Sequence, residues 1–196
     1  MKVRNTVLAL VALVAVFAFA GKGAEYNVVK NQSTVTWTGS KVTGTHTGGI
    51  KVADGKLTSD GKNILGGSFD IDMTSITVTD LTDAKSNQNL VGHLKSDDFF
   101  SSAKYPKATL VVKKATPAGQ GKYVVSGDLT IKGITHPIQF PATIQHVGNQ
   151  IKAQADVTVD RTKYDIKYGS GSFFDDLGDK AISNEFVLNV ALVAQK

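Results

Sequence analysis

Apolar and polar residues alternate with a period of two through most of the chain beyond residue 30. In residues 122–132, apolar or small side chains occupy the odd positions, and mainly Lys, Ser, Asp and Thr occupy the even ones. Residues 134–144 and 151–159 repeat this pattern. Such alternation is typical of half-buried β-strands, and helical periodicity is rare in the chain. The sequence therefore predicts an all-β fold.

Glycine-rich turn signals separate the alternating runs. They lie at Gly48-Gly49, Asp54-Gly55, Asp60-Gly61, residues 119–121 and Gly148-Asn149. Gly and Asn tolerate the positive φ that tight turns require. Counting the runs gives about eight or nine strands. Many antiparallel strands joined by tight turns either stack as a sandwich or close as a barrel, and alternation alone does not separate the two.

One segment, near residues 83–100, departs from the β pattern, and we expect one or two helical turns there within a long connection. Ser96 is the expected N-cap, with acidic residues in the first turn, where they favour the helix dipole. Phe99 and Phe100 are then expected at the mouth of a barrel. A second long connection, rich in Gly and Asp, spans residues 164–180. Connections of this length are often functional.

The N-terminus differs from the rest of the chain. Lys and Arg within the first four residues precede an uninterrupted apolar run over residues 7–20. This pattern predicts a secretory signal peptide over residues 1–20, cleaved after Ala20, with an uncleaved anchor as the alternative. We therefore expect a single domain over residues 21–196, periplasmic or secreted.

The charge of the chain bears on its partners, and its cysteine content bears on its stability. The net charge is +5 at pH 7, and Lys is spread along the chain without a basic block of interleaved aromatics. We therefore expect no nucleic-acid partner. The chain has no cysteine, so its stability in an oxidising compartment rests on its core and not on disulfides.

Residues that often carry catalysis or bind metals lack the usual partners in the sequence. No histidine has another ligand at a recognised metal spacing, so no metal or other cofactor is predicted, although ligands converging from separate strands are the alternative. Residues 169–172 superficially resemble a nucleophile elbow but lie in a polar loop without a following helix. The sequence predicts no catalytic residue and no enzyme activity.

The apolar face of the strands is the remaining candidate for function. An eight-stranded barrel has an interior wide enough either to be filled by side chains or to hold one small ligand. The roughly 25 Å axis expected for strands of about ten residues suits an extended hydrocarbon chain. A ligand cavity and a solid core both fit the composition.

Three stretches resemble the YceI-like family of exported polyisoprenoid-binding proteins. They are HLKSDDFF at residues 93–100, GDLTIKGIT at residues 127–135, and DRT at residues 160–162 followed by Tyr164. The resemblance covers residues 25–194. It implies a lipocalin-like antiparallel barrel, periplasmic in Gram-negative bacteria, whose cavity holds an isoprenoid, fatty acid or similar long-chain amphiphile. The resemblance implies no catalytic activity. Asp165 stands where the family usually has Gly, which affects the expected shape of this loop.

Strand parity then supplies candidate ligand-binding residues. Those expected to line the cavity are Trp37, Phe69, Ile71, Met73, Leu129, Ile131, Ile138, Phe140, Val157 and Phe186, and those expected near the mouth are Phe99, Phe100 and Tyr164. Each of them also fits an ordinary core position, so the assignment rests on the barrel being hollow.

The sequence does not decide the oligomeric state, and a homodimer is one option. Three functions fit the alternating sequence pattern. The first is a carrier or scavenger of an isoprenoid, quinone or fatty-acid-like amphiphile. The second is a small outer-membrane barrel with the apolar face turned outward, against which the single Trp counts because such barrels carry aromatic girdles. The third is a periplasmic enzyme or stress-response protein acting on lipids.

Overall fold

A computed structural model describes residues 23–196, and the predicted signal peptide lies outside them. Antiparallel strands make up most of this part of the chain. The strands are β1 Ala24–Val28, β2 Thr34–Lys41, β3 Gly44–Ser59, β4 Ile64–Asp72, β5 Lys107–Pro117, β6 Lys122–Ile131, β7 Ile134–Val147, β8 Gln150–Asp160 and β9 Ile182–Gln195. Helix α1, Ala84–Lys95, connects β4 to β5. No helix among residues 23–196 is long and apolar enough to cross a membrane.

The strands close into a barrel. Each strand from β2 to β9 pairs antiparallel with the next, and β9 returns to pair with β2. β1 and β2 share one position, because β1 pairs with residues 56–59 of β3 and β2 pairs with residues 44–50 of the same strand. Nine strands therefore fill eight positions. The predicted eight-stranded antiparallel barrel is confirmed, and the sandwich alternative is not formed.

Strand parity decides which side chains face the interior. In β6, Val125, Leu129 and Ile131 are buried inside the barrel. Asp128, of the opposite parity, pairs with Lys113 of β5 at 2.6 Å between carboxylate oxygen and Nζ. Each fully buried aliphatic side chain contributes about 1.5–3 kcal/mol to folding. The apolar parity of the sequence thus faces the interior of the barrel.

Two of the predicted turns are wrong, because Gly48-Gly49 and Asp54-Gly55 lie within the long strand β3. These glycines allow close packing instead of reversing the chain. A Cβ at Gly48 would lie 1.8 Å from the carbonyl oxygen of Thr77, and one at Gly55 would lie 2.7 Å from the ring of Phe69. The other predicted turns do connect neighbouring strands.

One end of the barrel, formed by the β3–β4, β5–β6 and β7–β8 turns, is closed. Ser59 at the end of β3 and His146 near the end of β7 form a hydrogen bond of 2.9 Å between Oγ and Nε2. Because β3 and β7 are not neighbouring strands, this bond bridges the end of the barrel. Ser59, Ile151 and Ala194 are fully buried there. Packed side chains and a polar bridge seal this end.

The opposite end carries helix α1. The helix begins after Asp83, whose carboxylate accepts a hydrogen bond of 2.8 Å from the Ser86 N–H. The predicted helical segment is confirmed, although it has 12 residues and is longer than expected. The prediction that Ser96 is the N-cap is wrong, because Ser96 ends the helix and its hydroxyl donates to the His93 carbonyl at 2.8 Å. A hydroxyl can accept from the free N–H groups at the start of a helix or donate to the free carbonyls at its end. The carboxylate of Asp83 can only accept, so it can cap only the N-terminus of a helix.

The connection from β8 to β9 lies beside α1 at the same end. It begins with the 3-10 turn Arg161–Tyr164 and finishes with a second one, Gly178–Lys180. Asp165, where the family resemblance led us to expect Gly, adopts the left-handed backbone conformation itself, with φ 57° and ψ 34°. Asp tolerates this conformation better than most residues, so the loop turns as a Gly would turn it.

Candidate functional site

A cavity of about 530 Å³ occupies the interior of the barrel. Every strand from β2 to β9 contributes side chains to its wall. Pockets that bind small molecules usually have volumes of about 300–1,000 Å³, and this one lies within that range. The interior is therefore hollow, and the solid core that the sequence left open is not formed.

Most of the predicted site residues face this cavity. Those that line it are Trp37, Phe69, Ile71, Met73, Phe99, Phe100, Leu129, Ile131, Ile138, Phe140, Val157 and Phe186. Tyr164 does not line the cavity: it is 3% exposed, and its ring meets the ring of His136 edge-on with centroids 5.4 Å apart. Contact between any of these residues and a ligand stays a prediction.

Small side chains on two neighbouring strands make the interior hollow. Ala142 of β7 and Ala155 of β8 are direct cross-strand partners, and Ala153 lies opposite Ile144 in the same pair of strands. All of these side chains line the cavity. Because protein interiors otherwise pack closely, a methyl group at an inward position leaves space that a larger side chain would fill. Selection of large apolar residues from the sequence missed these alanines, although their inward parity was visible.

An aromatic cluster surrounds the open end of the cavity. His93 of α1 lies edge-on to both Phe99 and Tyr168, with ring centroids 4.9 Å and 4.6 Å apart. Phe100 lies edge-on to Phe186 of β9, with centroids 6.0 Å apart. These contacts join the helix, the β8–β9 connection and the barrel wall. Edge-to-face packing of this kind stabilises each pair by about 0.5–1.5 kcal/mol beyond burial.

Polar side chains line the rim beside this cluster. They include Lys41, His46, Asp179, Lys180 and Glu185. The imidazole Nδ1 of His46 lies 2.7 Å from a carboxylate oxygen of Asp80. Burial alone raises the pKa of Asp80, but the hydrogen bonds from the Thr47 N–H and from His46 outweigh it, and the net pKa is lowered. The rim is thus polar, whereas the wall below it is apolar.

Arg161 is the exception within the wall. Its side chain is buried, and its guanidinium donates to three backbone carbonyls, those of Ile166, Ile182 and Ser183, at 2.8, 3.1 and 2.9 Å. The guanidinium carbon lies 5.8 Å from the centroid of the Phe99 ring. Burial lowers the pKa of Arg161, because an apolar surrounding disfavours its charged form. Sequence reasoning gave this residue no role, although its parity matches that of Val157.

Groups for chemistry on a bound molecule are sparse around the cavity. His93 Nε2 lies 3.3 Å from a carboxylate oxygen of Asp98, an exposed pair at the rim. Among residues 23–196, no group of three or more His, Asp or Glu side chains is arranged to hold a metal ion. What the described residues offer is an apolar interior, closed at one end and with a polar rim at the other, an arrangement suited to enclosing a hydrocarbon chain.

The chain is similar to known proteins in sequence and in fold. The family model of the YceI-like domain matches residues 26–194, which include every strand from β2 to β8, most of β9 and part of β1. The chain belongs to the YceI-like family. A UPF0312 protein of Vibrio parahaemolyticus is 36% identical over 94 residues, covering 44% of this chain and 50% of that protein. The chain thus matches about half the length of that curated relative.

Solved structures share the YceI-like barrel. BcnA of Burkholderia cenocepacia superposes with a TM-score of 0.69 at 25% identity, covering 86% of this chain and 99% of that one. A polyisoprenoid-binding domain from Saccharophagus degradans superposes with a TM-score of 0.65 at 18% identity, covering 87% of this chain and 97% of that one. At these identities the likeness supports the fold.

Proposed function

We propose that this YceI-like barrel is a non-catalytic carrier or scavenger that encloses a long-chain amphiphile such as an isoprenoid, a quinone or a fatty acid. The observation that carries the proposal is the hollow interior of about 530 Å³, with an apolar wall and one polar rim. Such a cavity removes a hydrocarbon chain from water without requiring any reactive group. The Saccharophagus degradans protein with this fold is described as a polyisoprenoid-binding domain, which supports the isoprenoid among these ligands.

The energetics favour a long chain over a small apolar molecule. Transfer of each methylene from water into an apolar site contributes about 0.8 kcal/mol. Association costs at least about 4 kcal/mol in lost translation and rotation. Several methylenes therefore only offset the cost of association, and useful affinity requires a chain that extends through much of the barrel.

The proposal includes export. A signal peptide cleaved after Ala20 would deliver residues 21–196 to the periplasm, where a lipid in transit between membranes needs a protein to shield it from water. Fractionation of cells after osmotic shock tests this part. Release of the mature chain into the shock fluid supports it, and retention in the cytoplasm or in membranes contradicts it.

Ligand binding is tested with the purified protein. Mass spectrometry of a solvent extract is expected to detect a co-purifying isoprenoid, quinone or fatty acyl compound. Displacement of a fluorescent fatty acid gives an independent measure of affinity. A protein that co-purifies with no lipid and binds no such probe would overturn the proposal.

Two variants on one strand locate the binding site. Ala153→Trp places an indole in the cavity, whereas Lys152→Trp places the same group on the exposed face of β8. We expect Ala153→Trp to weaken binding of the fluorescent probe at least tenfold and Lys152→Trp to leave it unchanged. Equal binding by both variants would place the ligand outside the barrel.

A further inference from the structure

Arg161 brings a buried charge to the cavity. It follows Val157 and Val159 at the inward parity of β8, and its side chain lines the cavity although it is only 3% exposed. Moving an ionised group out of water is unfavourable unless hydrogen bonds and an opposite charge compensate it. A buried guanidinium in an apolar wall therefore needs a compensating partner.

The partners within the chain are incomplete. A guanidinium has five N–H donors, and the described contacts occupy three of them, all with backbone carbonyls. No ion pair among the described residues includes Arg161. The adjacent carboxylate of Asp160 accepts instead from the N–H and hydroxyl of Thr162, at 3.0 and 2.6 Å. Asp160 therefore acts on Arg161 through its charge alone, and two N–H donors have no hydrogen-bond partner among the described residues.

We propose that Arg161 binds the headgroup of the enclosed amphiphile and that this headgroup is an oxyanion, a carboxylate or a phosphate. The inference rests on the proposed function, since it assumes that a hydrocarbon chain occupies the cavity. The ligand would lie with its tail toward the sealed end and its charged oxygens beside Arg161, near the open end. A planar guanidinium offers paired donors that match the two oxygens of such a group.

The surroundings of Arg161 favour this pairing. The Phe99 ring covers one side of the guanidinium and shields it from water, which strengthens a charge-assisted hydrogen bond. The other charged groups on the cavity wall are Lys41, Asp179, Lys180 and Glu185, all at the rim, with His46 and His93 beside them. Because the rim carries both signs of charge, it does not itself select an anion. Selection would fall to Arg161.

A purely structural role is the competing explanation. The three carbonyls that Arg161 contacts belong to the β8–β9 connection and to the start of β9, so the side chain also holds the strand ends together. A structural role predicts that substitution weakens the binding of all ligands alike. A headgroup role predicts that it weakens the binding of acids more than that of neutral ligands with the same chain.

The experiment compares hexadecanoic acid, hexadecyl phosphate and hexadecanol as competitors for a fluorescent probe. In the unsubstituted protein we expect at least one of the two oxyanions to bind at least tenfold more tightly than the alcohol, and their order identifies the preferred headgroup. In Arg161→Met this preference should disappear, and in Arg161→Lys it should be partly retained. Lys180→Met, which removes a rim cation, should keep the preference.

Each result has a distinct meaning. Equal binding of acid, phosphate and alcohol by the unsubstituted protein overturns the headgroup role while leaving the carrier function intact. Binding of none of the three contradicts the carrier function itself. If Arg161→Met does not fold, hexadecanoic acid labelled with ¹³C at the carboxyl is titrated in the unsubstituted protein by NMR. A bound carboxyl pKa below that of the free acid supports the pairing with Arg161, and an unchanged or raised pKa overturns it.

Discussion

The indole Nε1 of Trp37 donates a hydrogen bond of 3.1 Å to the backbone carbonyl of Thr77. Thr77 lies in the segment that leaves β4 and runs along the outer part of β3, to which it donates through its own N–H at 3.0 Å to Gly49. The bond therefore links the wall of the cavity to the connection that leads into helix α1. It also fixes the orientation of the ring that faces the cavity.

The first prediction uses Trp37 as a reporter, because it is the only Trp of the chain and lines the cavity. Binding of a fatty acid should shift its fluorescence to shorter wavelength, and a brominated fatty acid should quench it in a saturable manner. The measurement is a fluorescence titration, with Trp37→Phe as the control that abolishes the signal. An unchanged spectrum at ligand concentrations that displace a bound probe would place the ligand away from Trp37.

The second prediction concerns Gly48, which faces the same carbonyl of Thr77. Gly48→Ala would place a Cβ 1.8 Å from that oxygen and 2.7 Å from the Trp37 ring. We expect a loss of at least about 3 kcal/mol in the free energy of unfolding, because backbone must move to make room. Urea denaturation measures it. Gly49→Ala, whose Cβ would meet the Thr77 hydroxyl at 3.3 Å and the Val35 carbonyl oxygen at 4.0 Å, is the matched control and should cost less than about 1 kcal/mol.

The third prediction concerns Gly92 within helix α1. A Cβ at this position meets nothing within 4 Å, so alanine fits without strain. Gly92→Ala should raise the free energy of unfolding by about 0.5–1 kcal/mol, since alanine loses less conformational freedom in a helix than glycine. Gln88→Ala, at an exposed position of the same helix, should change it by less than about 0.5 kcal/mol. Destabilisation by Gly92→Ala would mean that the helix is packed differently at the mouth.

The fourth prediction concerns Asp165, whose φ is 57°. Asp165→Gly removes the steric cost of the left-handed conformation, and only the exposed ion pair with Lys167 is lost in exchange. We expect a net gain of about 0.5 kcal/mol in the free energy of unfolding, because exposed ion pairs contribute little. Thermal denaturation should show a small rise in Tm. Asp165→Ala, which keeps a Cβ but loses the carboxylate, should lower Tm instead.

The fifth prediction concerns pH. The carboxylate of Asp60 accepts hydrogen bonds from the backbone N–H and side chain of Asn63 and from the backbone N–H of Lys62. These bonds lower the pKa of Asp60 from 3.8 to about 2. Asp60 binds a proton less tightly in the folded state than in the unfolded state. Its carboxylate therefore stabilises the fold fully at about pH 5 and above, and this effect is lost as the pH falls toward 2.

Urea denaturation between pH 2 and pH 6 tests this dependence. Asp60→Asn should flatten the fall in stability below pH 4 relative to the unsubstituted protein. Asp175→Asn, which replaces an exposed carboxylate of the β8–β9 connection, serves as the control and should leave the slope unchanged. Identical slopes for Asp60→Asn and the unsubstituted protein would contradict the lowered pKa.

The barrel was largely predictable because alternation is a local signal. Val125, Leu129 and Ile131 share a parity in the sequence, and the same parity is buried in β6. The turns at Gly48 and Gly55 were predicted wrongly. In the sequence, a glycine that makes room for a distant carbonyl or ring cannot be distinguished from a glycine that forms a turn. Only the three-dimensional neighbour separates the two cases.

The sequence predicted which large residues face the cavity, but it did not predict that the interior is hollow. Parity alone places Phe140 and Leu129 inside, but hollowness depends on Ala142 meeting Ala155 across two strands, which requires the register. Arg161 was missed because a charged residue at an inward position looks like the end of a strand. Its three carbonyl partners lie 5 to 22 residues further along the chain, beyond the reach of a local pattern.

The hydrogen bond between Ser59 and His146 has a kinetic consequence for the proposed carrier. Because it bridges the sealed end, a chain held in the barrel must withdraw through the opening beside α1 by the path along which it arrived. Each methylene that slides back into water costs about 0.8 kcal/mol, so one added carbon should lengthen the residence time about fourfold. Long chains would then remain bound far longer than short ones.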